Sequence, residues 1–247
     1  MNLLKYILSS FKWILSKICG LFIKQQKPNK ASPPKKPSKI PPPFLLKANP
    51  DITKTSYLNW RINDGRDIEN LMAMADGFLD SAKSLTSSCL TDNSDKKADI
   101  LIFPILTNLN HGIELYLKAM IWILNALMGN KSRTIKGHDI RQLLKLFQYK
   151  LLKYKDNSWV TDFNSKNQAM INYIDEIYHN MGAIGGTIDM SYSRYPFDRD
   201  FNSFFYVEAL GNIVIDIEKL DVVISEIKDG LEERATYFYD QELNQEW

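Results

Sequence analysis

An all-α fold is predicted for the folded part of this chain: an antiparallel bundle of four to five helices, preceded by an amphipathic N-terminal helix and a linker rich in proline and lysine. Three observations carry that prediction. Apolar residues recur at three- and four-residue steps in several long segments, which is the helical period. No strand-rich region and no internal repeat interrupts them. Glycine, aspartate, asparagine and proline fall where such segments should begin or end. With 247 residues, 45% of them hydrophobic, the chain can fill one sizeable core but not two large ones.

The first element is predicted over residues 1–24. Leu3, Leu4, Ile7, Leu8, Phe11, Ile14, Leu15, Ile18, Leu21 and Phe22 collect on one helical face, and Lys5, Lys12, Lys17 and Lys24 lie on the other. Tyr6 and Trp13 flank the polar side, where an amphipathic ring suits a headgroup boundary. A helix lying in the plane of a bilayer fits this pattern best, with Phe11, Lys12, Trp13 and Lys17 as membrane contacts. A spanning helix wants fewer charges than Lys12 and Lys17 supply. A cleaved signal peptide wants an unbroken apolar centre and a small-residue cleavage site. Packing against the chain's own domain or a partner is the remaining alternative. Residues 25–48 hold seven prolines and read as an extended, solvated spacer. Each of its lysines adds roughly 1 kcal/mol of attraction when close to an anionic leaflet.

Charge separates the arm from the body. Residues 1–50 carry ten lysines and no acid, a net +10; the remaining 21 basic and 29 acidic residues give 51–247 a net −8. The arm therefore calls for an anionic partner, and the body must take any polyanion through a local patch. The expected location is the cytoplasmic face of a membrane. Cys19 and Cys89 are distributed one to each part, so no disulfide framework is expected.

In the domain, 49–247, helices are predicted over 65–87, 100–128, 138–154, 160–181 and 201–235. Asp64-Gly65 opens the first, with Asp76 and Lys83 on its wet side. Polar residues 92–99 introduce the second, Pro104 suits its first turn, and Gly129-Asn130 ends it. Gly137-His138-Asp139 opens the third. The fourth stops at Gly182, and Gly185-Gly186 extends the break. Ile213, Ile217, Leu220, Val223, Ile224 and Ile227 form the stripe of the last. Residues 183–200 are the longest irregular stretch, and loops of that length are often functional.

The helix over 100–128 is the most informative. Leu106, Leu109, Ile113, Leu117, Met120 and Leu124 follow core spacing. A second stripe carries Thr107, His111, Glu114, Lys118 and Asn125, so one side of an apolar helix is polar. Those groups must be paired or line a cleft. Glu114 and Lys118 stand in the order that favours a local ion pair, and Thr107 can bond back to a carbonyl one turn earlier. A structural seam and a functional cleft or dimer face both fit. Two further segments carry chemistry. His138, with Asp139 beside it, follows Arg133 at a helix start, where the dipole favours neutral imidazole, the form a general base needs; plain capping is the alternative. Arg194 and Arg199 suit phosphate, while Tyr195-Pro196-Phe197 between them is expected to anchor the long loop. His179 reads as a dipole partner near a helix end. No metal-ligand spacing, phosphate-binding glycine loop or hydrolase motif is present, and no cofactor is expected.

His111-Gly-Ile-Glu114-Leu-Tyr-Leu-Lys118-Ala, followed by Gly137-His138-Asp139-Ile140 and Leu143-Leu144, resembles the HEPN superfamily of helical bundles, and Arg194-Tyr195-Pro196 is similar to some bacterial members. The resemblance covers about residues 100–200. It implies a four- or five-helix bundle that often forms a homodimer. Many members are metal-independent endoribonucleases of toxin–antitoxin or phage-defence systems; others bind nucleotides or accompany an antitoxin or nucleotidyltransferase partner. Their catalytic signature, Arg, four to six residues, then His, is met in spacing by Arg133 and His138, although the family usually places it in a later helix. The resemblance thus implies an RNA or nucleotide partner, with Arg133, His138 and Arg194 as catalytic candidates and His111, Glu114, Lys118 and Asp139 in support. A non-catalytic binding module or a plain structural bundle is the alternative.

Overall fold

A computed structural model of the chain describes residues 45–58, 61–62, 65–130, 135–183, 190–207, 209 and 211–244. The chain divides into two units, 1–56 and 57–247. In the first, the described residues 45–56 include a short 3-10 turn, Ile52–Lys54, capped by Asp51, whose Oδ1 accepts from the Thr53 amide at 3.0 Å. The amphipathic segment, with Phe11, Lys12, Trp13, Lys17 and Cys19, and the linker as far as residue 44 lie outside the described residues.

The second unit is all-α. Its described residues form six α-helices: α1 Asp67–Thr91, α2 Ala98–Leu127, α3 Ile140–Tyr154, α4 Asn157–Lys166, α5 Gln168–Ala183 and α6 Ile217–Thr236. A π-helix, Tyr237–Leu243, continues α6, and a 3-10 turn, Met190–Ser193, follows α5. Aspartate caps set three of the starts. Asp139 accepts from the Gln142 amide, Asp156 from the Ser158 and Trp159 amides, and Asp216 from the Lys219 amide, each satisfying donors the helix leaves free.

α2 is the centre of the bundle. Its predicted core stripe is buried throughout, and Tyr116 and Ile121 join it. It is long and apolar enough to cross a membrane, but over half of its most apolar window is buried inside the unit, as in a core helix. α1 packs against it most extensively. Asp76 faces Tyr116 and Leu79 faces Gly112, so the pair runs antiparallel. Gly112 permits the close approach: a Cβ there would meet Leu79 Cγ at 2.6 Å. α6 closes on α1 in the same sense, with Lys83 Nζ on Asp221 at 2.5 Å and Lys228 on Asp80.

Several sequence expectations need correction. The helix predicted over 160–181 is two helices, α4 and α5, broken at Asn167. That side chain is 1% exposed, and its Nδ2 donates to the Phe163 carbonyl at 3.0 Å. α6 packs onto the break through Gly230, where a Cβ would lie 2.6 Å from Asn167 Oδ1. The helix predicted from 201 begins only at Ile217, after the Asp216 cap, and Ile213 stands exposed outside it. Pro104 falls in the second turn of α2, near the first turn as expected. Asp76 and Lys83, assigned to the wet side of α1, are half-buried and tied to Tyr116 and Asp221.

Candidate functional site

The polar stripe of α2 is buried at Glu114 and Asn125 and partly open at Thr107, His111 and Lys118, and each of three positions meets a different later segment. At one end Thr107 Oγ1 donates to the carbonyl of Ser193 at 3.1 Å and contacts its hydroxyl at 3.0 Å. This replaces the expected bond back to its own helix. At the other end the buried Asn125 Oδ1 accepts from Lys150 Nζ on α3 at 2.6 Å. Between them, Glu114 is 7% exposed.

Glu114 gathers the site. Lys118 Nζ donates to its Oε1 at 2.7 Å, one turn along the same helix. His138 Nδ1 lies 2.9 Å from the same oxygen, and His111 Nδ1 is 3.7 Å from Oε2. Burial pushes the Glu114 carboxyl up, but the three basic groups beside it, His111, Lys118 and His138, outweigh it and hold the pKa at about 2. Glu114 is therefore a carboxylate at any ordinary pH, an acceptor only. That assigns the hydrogen of neutral His138 to Nδ1 and leaves Nε2 unprotonated, on a side chain that is 79% exposed. The His111 ring stands perpendicular to Phe78 of α1, centroids 4.3 Å apart.

Loop geometry places His138 there. Gly137 takes a φ of +91°, open to glycine and costly for other residues, and the following His138 precedes the cap residue Asp139. The imidazole thus lies outside the first turn of α3, and Glu114 sets its orientation. Asp139 is engaged elsewhere: its Oδ1 accepts from the Gln142 amide at 2.9 Å and from the Tyr178 hydroxyl of α5. Burial and then that carboxylate raise the Tyr178 pKa, so the phenol stays protonated and fastens the loop to α5.

Arg194 is exposed, with its guanidinium carbon 5.9 Å from the centre of the Tyr195 ring. Its neighbour Ser193 binds Thr107, which brings the Arg194 backbone to the α2 stripe about two turns from Glu114, some 10 Å along the axis. The loop is not anchored by Tyr195 and Phe197, which are exposed. Tyr192 and Phe204 are buried instead, and Tyr192 belongs to a closed network in which Asn110 Nδ2 donates to Tyr192 Oη at 3.2 Å and Tyr173 Oη donates to Asn110 Oδ1 at 2.6 Å. Arg133 lies outside the described residues, within 131–134, and His179 is exposed on α5. Among the described residues no cluster of three or more His, Cys, Asp or Glu is placed to hold a metal ion. The hydroxyls of Tyr173, Tyr178 and Tyr192 carried no signal in the sequence beyond that of ordinary core aromatics.

Comparison with family models, with curated proteins and with solved structures returns no match to the chain.

Proposed function

We propose that this chain is a membrane-tethered, HEPN-like endoribonuclease, metal-independent, acting as a toxin or phage-defence effector. The observation that carries the reading is the Glu114–His138 couple: a buried carboxylate fixing Nδ1 of an imidazole on a largely exposed side chain. A carboxylate that orients a histidine by its far nitrogen produces a general base ready for use. His138 Nε2 takes the proton of a ribose 2′-OH, and the oxygen attacks the adjacent phosphate. Arg133 and Arg194 supply positive charge for the phosphoryl oxygens, and Lys118 keeps Glu114 in place. A homodimer, the arrangement common in HEPN proteins, would pair two such sites.

The test is cleavage of single-stranded RNA by the purified protein in excess EDTA. Products should end in 2′,3′-cyclic phosphate, and His138→Ala should lower the rate by at least about a hundredfold. His179→Ala, on an exposed face of α5, should leave it unchanged. Equal trace activity in wild type and His138→Ala would mark contamination and remove the reading. The second reading, a non-catalytic module that binds a nucleotide or partner protein, then takes its place. It is favoured by the exposure of His138, which suits a contact surface, and titration with ATP tests it.

A further inference from the structure

We infer that His111 is the second proton-transfer residue of this site, the general acid that protonates the leaving 5′-oxygen. The inference rests on the ribonuclease reading above and extends it. Phosphodiester cleavage by a 2′-hydroxyl moves two protons, one off the nucleophile and one onto the leaving oxygen, and a single imidazole does not stand at both ends of the reacting phosphate. The structure places two imidazoles on one carboxylate. His138 approaches Glu114 Oε1 at 2.9 Å, and His111 approaches Oε2 at 3.7 Å. Both are open to solvent, with side chains 79% and 37% exposed, while the carboxylate between them is buried. The two rings come from different elements, α2 and the loop before α3, and meet at the Glu114 carboxylate. Ser193, next to Arg194, is bonded to Thr107, about two turns from Glu114 on the same helix.

The protons balance. His138 Nε2 accepts the 2′-OH proton as the 2′-oxygen bonds to phosphorus. The bond from phosphorus to the 5′-oxygen breaks, and His111, as imidazolium, gives its Nε2 proton to that oxygen. The products are a 2′,3′-cyclic phosphate and a 5′-hydroxyl. Proton exchange with water then resets both rings for the next turnover. Glu114 stays ionised throughout and faces whichever ring is positive.

A leaving group that needs no proton separates an acid from a structural residue. The full-length protein is assayed on RNA and on uridine 3′-(4-nitrophenyl phosphate), whose nitrophenolate departs unprotonated. His111→Ala should slow RNA cleavage by at least about a hundredfold yet stay within about threefold of wild type on the nitrophenyl ester. His138→Ala should be slow on both. His111→Gln, which keeps a polar side chain beside Glu114 and Phe78 but has no proton to give, should match His111→Ala; melting curves confirm that both variants fold. Equal loss on the two substrates, recovery in His111→Gln, or wild-type speed of His111→Ala on RNA each overturns the assignment and leaves His138 as base standing. A wild type inert toward RNA overturns the ribonuclease reading and this inference together.

Discussion

Glu114 decides more than any other single residue here. The sequence stripe shows that it belongs to a polar seam, but whether it forms a surface ion pair or a buried one is a tertiary matter. The two cases differ about tenfold in energy, from about 0.2–0.5 kcal/mol for an exposed helical pair to roughly 3–5 kcal/mol when one partner of a buried pair is removed. With Glu114 at 7% exposure and the Lys118 side chain at 15%, Glu114→Leu should fall in the upper range, measured by chemical denaturation at pH 7. The same carboxylate sets a pH signature. Its pKa is about 2 in the fold against an ordinary 4.5, so its contribution is complete above pH 4.5 and is lost as pH falls from there toward 2. The integrated size is about 3 kcal/mol. The stability gap between wild type and Glu114→Gln should therefore narrow between pH 7 and pH 3, and a constant gap would contradict the cause assigned to the shift. Partner identity was the part of the site the sequence could not give. That Thr107 meets Ser193, Glu114 meets His138 and Asn125 meets Lys150 depends on how distant segments pack, and no spacing along α2 encodes it.

At the scale of elements, strong periodicity, with the Gly129 stop of α2 and the Asp139 cap of α3, made α1, α2 and α3 legible to within a few residues. Two failures have physical causes. The break at Asn167 has neither proline nor glycine to announce it; the stop is made by a buried amide bonding the Phe163 carbonyl and by α6 lying against it through Gly230. The early start given to α6 followed an apolar run, Ile213-Val214-Ile215, that continues the stripe in sequence but stays outside the helix, since the cap is at Asp216. Helix contact also yields a sharp expectation. Gly112 lies where α1 and α2 touch, and a methyl there overlaps the fully buried Leu79 side chain. Gly112→Ala should cost about 1–3 kcal/mol despite alanine's better helix propensity. Adding Leu79→Ala should give a double mutant less destabilised than the sum of the two single changes, because one change relieves the overlap made by the other. Strict additivity in thermal or denaturant unfolding would show that the helices separate freely at this point.

Charge organises the whole molecule: +10 on residues 1–50 and −8 on the rest. An acidic body is repelled both by an anionic leaflet and by RNA, so on the proposed reading the arm holds the chain at the membrane and RNA enters at a local patch of positive charge. Beyond a Debye length of about 8 Å at physiological salt the body's repulsion fades. A proline-rich stretch of the length of residues 25–48 would, if fully extended at about 3.1 Å per residue, reach roughly 70 Å. If the arm is the tether, residues 1–30 fused to a soluble reporter should float with vesicles containing anionic lipid and partly detach in high salt, since the lysine attraction is screened while the apolar face stays buried. Lys12 and Lys17 interrupt the apolar run near its middle, where a spanning helix would carry them through hydrocarbon. An in-plane helix leaves both at the headgroups, so alkaline carbonate should release the fusion. Full resistance to carbonate would point to a spanning helix instead, and absence of any vesicle binding would leave the lysine-rich arm without the membrane role assigned to it.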